Sequence, residues 1–183
     1  VDALKFRVRR FMQTQNTPDP SRRALPPIGT TLAFLFISSD EELLGRTAPM
    51  EVSWIRNWLR QSSFRKFVDD KEKGVAAKNL VTSWVMARTS NGSFHIDRLY
   101  DAVTFKLKAA LPVAVQGLKT KPYQGMAIDA IARLGGKEYA ALLLPVLDDK
   151  TVIATFTTNK KRVEVQARDV ALAWLVHLTG QGV

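Results

Sequence analysis

The chain has 183 residues, of which 46% are hydrophobic and 24% are charged. This length suits one folded domain with an appended segment, and the composition excludes an intrinsically disordered chain. The net charge of +10 favours acidic partners such as nucleic acid, anionic lipid or an acidic protein, and it is equally compatible with a basic surface that only aids solubility.

Residues 1–29 are predicted to form an N-terminal helix followed by a proline-rich linker. In ALKFRVRRFMQ, Leu4, Val8 and Phe11 fit one helical face, whereas Leu4, Phe6 and Val8 alternate as they would in a strand. We favour the helix because no pairing partner for a strand lies nearby. The stretch NTPDPSRRALPPIG at 16–29 contains four prolines and is the predicted boundary to a helical domain over 30–183.

Helical patterns dominate from residue 30 onward. Pro49 suits a helix start, and the apolar residues from Val52 to Leu59 recur at helical spacing. A second helical pattern runs from Leu99 to Leu111, and Pro112 is expected to bend or break it. The glycine pair at 135–136 is a natural stop for the helix before it.

The stretch TVIATFTTNKKRVEV, residues 151–165, departs from the helical pattern. It is rich in Val, Ile, Thr and Phe, and a polar TNKK divides it in two. This composition predicts a small β-hairpin or an extended excursion. The basic triplet Lys160, Lys161 and Arg162 would then lie at its tip, and loop tips on rigid scaffolds often carry binding residues.

The last predicted helix, within 163–181, is apolar on almost every side. One side carries Ala167, Val170, Trp174 and Leu178, and the other carries Leu172, Leu175 and Val176. Because an exposed terminal helix should have a polar outer face, we expect the Leu172/Leu175/Val176 side to be covered. Three candidates could cover this side: the excursion before the helix, the N-terminal segment, or a second copy of the chain in a homodimer paired through this helix.

The C-terminal half resembles the helical-hairpin repeats of the HEAT type. ALPVAVQGLKTKPYQGMAIDAIARLGG forms one candidate unit, and AALLLPVLDD together with VQARDVALAWLVHLTG forms the next. In each, the second helix carries closely spaced alanines, which let helix backbones approach. The resemblance implies an all-α superhelix that acts as an interaction scaffold without a catalytic motif, and this chain would add a small β-hairpin or extended insertion before the last helix. The insertion at 151–162 departs from the short turn usual in the family.

Candidate chemistry is sparse in this sequence. With no cysteine and only His95 and His177, thiol nucleophiles, thiolate metal sites and an all-histidine zinc site are excluded. His177 and Asp169 share a helix, but their directions differ by roughly 80°, so a structural role is favoured. No phosphate-binding loop, dinucleotide fingerprint or hydrolase motif occurs. We therefore predict no catalytic residue, no cofactor and no metal site.

The candidate partner-binding residues are basic. Besides the predicted hairpin tip, Arg9 and Arg10 belong to an arginine cluster beside the linker. A third group at 56–73 is mixed with acidic residues and is typical of a solvated helix face. The four tryptophans fall on predicted helices, so most should be core residues and one could anchor a partner; they are Trp54, Trp58, Trp84 and Trp174.

Three functional hypotheses follow, in decreasing order of preference. The first is a non-enzymatic HEAT-like module that binds another protein. The second is nucleic-acid binding along a basic face, with a steep salt dependence. The third is an enzyme on a helical scaffold similar to the HEAT-like alkylpurine DNA glycosylases. No apolar run is long enough to span a membrane. No signal peptide is visible, and because the chain begins at Val1 the compartment stays open.

Overall fold

A computed structural model describes residues 6, 27–38, 55–89 and 91–180. Apart from Phe6, which is helical, the predicted N-terminal helix lies outside these residues, and so do Arg9 and Arg10. The chain divides into two compact units, one within Val1–Ser93 and the other within Phe94–Val183. The predicted division into 1–29 and 30–183 stays a prediction.

The first unit is helical where it is described. It contains α1 (Ile28–Ser38), a helical stretch at 55–59, α2 (Ser62–Asp69) and α3 (Gly74–Met86). Helix α3 packs against both α1 and α2. Most of its core side chains are apolar. Two of them, Phe34 and Trp58, form an edge-to-face aromatic pair with ring centroids 4.9 Å apart. The predicted apolar face at Ile55, Trp58 and Leu59 is buried.

Short helical segments build the first half of the second unit. They are α4 (Leu99–Thr104), α5 (Leu111–Gly117) and α6 (Gln124–Ala130), each preceded by a 3-10 turn: Ile96–Arg98, Lys108–Ala110 and Lys121–Tyr123. Pro112 is in the first turn of α5, where its missing N–H costs nothing, so it neither bends nor breaks that helix, and the predicted run from Leu99 is instead interrupted after α4 ends at Thr104. The predicted single run from Leu99 to Leu111 is therefore two helices.

The chain after α6 changes its helical pitch twice. A π-helical turn, Ile131–Gly135, ends at Gly136, whose φ of 66° confirms the predicted glycine stop. A 3-10 helix, Gly136–Asp148, follows. With three residues per turn, residues three apart share a face. Leu143 and Val146 are accordingly buried, whereas Leu142 and Leu144 are exposed.

A β-hairpin interrupts the helices, as the sequence predicts. Strand β1 (Val152–Thr158) pairs antiparallel with β2 (Lys161–Gln166), and Phe156 lies opposite Val163. The connecting residues Asn159 and Lys160 have φ values of 48° and 62°. Two residues with positive φ form the mirror-image turn whose twist matches that of paired strands.

The last helix, α7 (Ala167–Thr179), buries only part of the side that was expected to be covered. Ala167, Ala171, Leu175 and Leu178 face the core. The Leu172/Leu175/Val176 side therefore does not behave as one surface, because Leu175 is buried whereas Leu172 is 54% exposed. The two alanines decide the orientation, since their small side chains allow the closest packing against the neighbouring helices.

The helices of the second unit associate in pairs. Helix α5 packs on α6, and α7 packs mainly on the 3-10 helix Gly136–Asp148 and also contacts α6. A Cβ at Gly117 would lie 2.9 Å from the Cβ of Ala127, so the first pair depends on small residues. The described chain is thus mostly helical, with one two-stranded sheet before the last helix. None of its described helices has the length and apolarity needed to cross a membrane.

Candidate interaction surface

The β-hairpin is fixed at its base by a small polar network that we call the neck. The carboxylate of Asp149 accepts hydrogen bonds from Gln124 Nε2 at 2.6 Å and from the Thr151 backbone N–H at 2.8 Å. The Arg168 N–H donates to the Asp149 carbonyl at 3.0 Å, and the Ala167 N–H donates to the Thr151 carbonyl at 2.9 Å. The neck therefore ties α6, the hairpin and α7 together.

Hydrogen bonds also set the protonation of the neck. The pKa of Asp149 is held below its ordinary value by hydrogen bonds from the side chains of Thr151 and Gln124 and from the Thr151 backbone N–H. The carboxylate is consequently charged at neutral pH, which is the form that accepts these bonds. The Gln124 side chain that reaches it is buried.

The two faces of the hairpin differ in polarity. Side chains of directly paired residues lie on the same face, so the register Ala154–Val165 and Phe156–Val163 makes one face apolar. Thr155, Thr157, Arg162 and Glu164 make the opposite face polar. Phe156 is 50% exposed. We call Ala154, Phe156, Val163 and Val165 the apolar hairpin face.

One residue secures the hairpin to the helices beneath it. A Cβ at Gly125 of α6 would lie 3.0 Å from Ile153 Cδ1, so the Ile153 side chain packs directly over that glycine. Ile153 is also the one residue of β1 that is partly buried rather than exposed. On the apolar hairpin face, Ala154 and Phe156 are exposed, whereas Val163 and Val165 are half-buried.

An apolar groove continues from this face along α7. It has a volume of about 430 Å³ and is lined by Val165, Val170, Ala173 and Trp174, with Asp169 and His177 as its polar members. Val165 belongs to both the hairpin face and the groove, so the two are continuous. Isolated exposed apolar residues need no explanation, but a contiguous apolar surface with a polar rim marks an interaction site.

The groove shares Trp174 and His177 with a second concavity, which we call the basic-aromatic cleft. Its volume is about 560 Å³. The cationic side chains are Lys106, Lys108 and Arg133, and the apolar lining is completed by Val103, Ala132, Leu134 and Leu178. The cleft, the groove and the apolar hairpin face together form one surface of the second unit.

Aromatic and cationic groups interlock at the wall of the cleft. The guanidinium carbon of Arg133 lies 5.3 Å from the centroid of the Trp174 ring, within cation–π range. Asp129 accepts a hydrogen bond from Arg133 Nε at 2.7 Å. The His177 ring meets the Trp174 ring edge to face, with centroids 5.4 Å apart. The Trp174 indole thus contacts both a cationic and an aromatic side chain.

Lys106 and Lys108 supply the unpaired charge of the cleft. Both are exposed, and among the ion pairs of the described residues neither takes part. Lys106 has a φ of 54°, a left-handed conformation that costs a non-glycine residue roughly 1–2 kcal/mol. The Leu107 N–H donates to the Ala102 carbonyl at 2.9 Å, which fixes this turn.

The predicted basic residues lie at the far end of the hairpin. Lys160 is the second turn residue, and Lys161 and Arg162 open β2; all three are exposed. Arg162 forms an exposed ion pair with Glu164 at 3.1 Å. These residues line neither the groove nor the cleft. Arg9 and Arg10 lie outside the described residues, so their prediction is unchanged.

The basic residues of the cleft were not singled out by the sequence. Lys106 and Lys108 lie just before α5 and Arg133 lies in the π-helical turn, so the three meet α7 only through packing. The available signal was Trp174, since one of the four tryptophans was expected to act as an anchor. Trp58 and Trp84 are buried and Trp174 is half-buried, which fits that expectation. Trp54 lies outside the described residues.

The two histidines do not assemble a reactive centre. His177 and Asp169 both border the groove, but the partner of His177 is the Trp174 ring, and Asp169 accepts a hydrogen bond from the Gln166 N–H at 2.9 Å. His95 precedes the turn Ile96–Arg98 without capping it through its side chain. Within the part of the chain that is described, no three acidic or histidine side chains cluster as a metal site would require.

Comparisons with known proteins give no family for this chain. Neither the protein family models, nor the curated proteins, nor the solved structures contain a significant match.

Proposed function

We propose that the chain is a non-enzymatic interaction module that binds another protein through its second unit. The observation that carries this proposal is the continuous surface formed by the apolar hairpin face, the groove and the basic-aromatic cleft. An isolated two-stranded hairpin is marginally stable in water. This one nevertheless presents Phe156 and Val163 to solvent, which favours a partner that covers them.

We further propose that the second unit is built from HEAT-like helical pairs. Two pairs, α5 with α6 and the 3-10 helix Gly136–Asp148 with α7, support this idea, as does the contact between α6 and α7. Such pairs bury their apolar faces only by stacking. In this arrangement, the hairpin is an insertion within the second pair that extends the binding surface beyond the helices.

A selection from random peptides tests the protein-binding proposal. A phage-displayed library of dodecapeptides is panned against the whole chain, and the recovered peptides are then measured against Phe156→Thr. Threonine keeps the strand propensity at this position but removes the apolar ring. We expect enriched peptides whose affinity falls at least about tenfold in this variant, the order of loss typical of an interface anchor.

Leu144→Thr is the matched control, because Leu144 is also about half exposed but lies on the 3-10 helix, outside the proposed surface. Its substitution should leave peptide affinity unchanged. Recovery of no enriched peptide, or of peptides that bind Phe156→Thr as well as the native chain, would contradict the proposal.

Nucleic-acid binding is the second candidate function, favoured by the exposed cluster Lys160, Lys161 and Arg162 at the hairpin tip and by the charge of +10. Each phosphate contact contributes a salt dependence close to one counterion. The triple alanine variant of the tip should then bind duplex DNA or RNA more weakly and with a shallower salt slope in fluorescence anisotropy. Absence of binding at low salt would eliminate this candidate.

A further inference from the structure

We infer that the basic-aromatic cleft recognises an acidic segment of the partner, with a carboxylate side chain held by Lys106 and Lys108 and an apolar side chain packed against Trp174. The inference rests on the proposed protein-binding function and specifies its chemistry. It assigns the occupant of the cleft independently of what covers the apolar hairpin face.

The charge balance of the cleft points to an anionic occupant. Asp129 already neutralises Arg133, which in turn lies over Trp174. The uncompensated charge therefore comes from Lys106 and Lys108, which are two residues apart and both line the cleft. Their flexible stems can converge on one carboxylate or on two neighbouring ones.

The same cleft offers an apolar wall beside those charges. Trp174 is half-buried and contacts the Arg133 guanidinium and the His177 ring. Leu134 and Leu178 also line the cleft. A rigid aromatic ring is an efficient anchor point, because it offers a large apolar area at a low cost in side-chain entropy. An occupant thus needs an anionic group and an apolar group within a few ångströms of each other.

A peptide meets this requirement better than a nucleic acid does. Neighbouring side chains of a peptide place a carboxylate next to a Leu or Phe. A nucleic acid instead presents a continuous row of phosphates, and its affinity comes from neutralising several of them. The groove that leads out of the cleft carries the carboxylate of Asp169, and Asp129 stands beside Arg133. Because Asp129 is paired with Arg133, the negative charge that a polyanion continuing along this path would meet is that of Asp169.

The test uses defined peptides and NMR titration of the isotopically labelled whole chain. The probe is acetyl-Glu-Leu-Phe-Glu-amide, and the comparison ligands are acetyl-Gln-Leu-Phe-Gln-amide and a short oligothymidylate. We expect the acidic peptide to shift the Trp174 indole and the Lys106 amide resonances. The neutral peptide should bind about tenfold more weakly, as expected for the loss of two exposed ion pairs.

Matched lysine variants complete the experiment. Lys106→Ala/Lys108→Ala should abolish the preference for the acidic peptide. Lys119→Ala/Lys121→Ala removes the same charge at the same spacing from exposed positions outside the cleft, and should retain it. Equal affinity for both peptides, an undiminished preference in Lys106→Ala/Lys108→Ala, or tighter binding of the oligothymidylate would overturn the inference.

Failure of this inference is distinguishable from failure of the proposed function. Peptides from the random library that require Phe156 but bind Lys106→Ala/Lys108→Ala normally would leave the protein-binding module standing. The cleft would then lose its assigned role, and the apolar hairpin face alone would account for recognition.

Discussion

Asp149 links the protonation of one carboxylate to the stability of the whole second unit. Its pKa is lowered by hydrogen bonds, so its contribution is fully present above the ordinary value of 3.8 and is lost as the pH falls through the lower, folded-state pKa. Asp149→Asn removes the titrating group. We expect this variant to be less stable than the native chain near pH 7 and to converge with it as the pH falls below the folded-state pKa of Asp149.

Urea unfolding at several pH values measures this difference. Asp148→Asn is the control, because the Asp148 side chain is exposed and stands beside the neck without entering its hydrogen bonds. If the free energies of unfolding of the native chain and of Asp149→Asn differed by the same amount across the acid range, the charge of Asp149 would not contribute to stability.

The close approach of α2 and α3 depends on Gly74, which has no Cβ. A Cβ at this position would lie 2.2 Å from the carbonyl oxygen of Val68, a backbone atom that cannot move alone. Gly74→Ala should therefore destabilise the first unit by more than about 2 kcal/mol, comparable to other overpacked sites. Gly29→Ala in α1, where a new Cβ meets nothing within 4 Å, should be neutral or stabilising. Thermal unfolding of both variants checks this contrast.

Among the secondary-structure elements, the β-hairpin has a strained residue in its turn, Lys160. Lys160 has a positive φ that glycine adopts freely, whereas Lys161 is in a strand, where glycine is unfavourable. Lys160→Gly should stabilise the hairpin by about 0.5–1 kcal/mol, and Lys161→Gly should destabilise it by a similar amount. Both variants lose one positive charge, so a difference between their unfolding midpoints reports conformation alone.

The elements differ in how well the sequence predicts them. The hairpin was predictable because β-branched residues flank a polar TNKK, and both signals are local. The covering of the Leu172/Leu175/Val176 side of α7 was predicted only in part, because apolar residues surround that helix and only tertiary packing buries Leu175 while leaving Leu172 exposed. The cleft was missed for a related reason: Lys106 and Arg133 are distant in sequence and meet Trp174 only after the helical pairs have formed.

For the molecule as a whole, the charge of +10 should speed encounters with acidic partners. Such steering is screened as salt shortens the Debye length from about 10 Å at 0.1 M to about 3 Å at 1 M. The association rate constant of the acidic peptide, measured by stopped flow with a labelled probe, should therefore fall with salt. Salt does not screen the proposed apolar contact between the peptide and Trp174, so the dissociation rate constant should change less. A salt-independent association rate would contradict this expectation.

The neck also has an evolutionary consequence. Because Asp149 and Thr151 bond directly to Arg168 and Ala167, the helical pair is closed where the hairpin leaves it, whatever lies beyond. Halving or doubling the length of a closed loop changes its entropic cost by only about 0.6 kcal/mol. The outer part of the hairpin, between Ile153 and Val165, is therefore exchangeable: a different excursion grafted there would change the exposed surface of the second unit while leaving the neck intact.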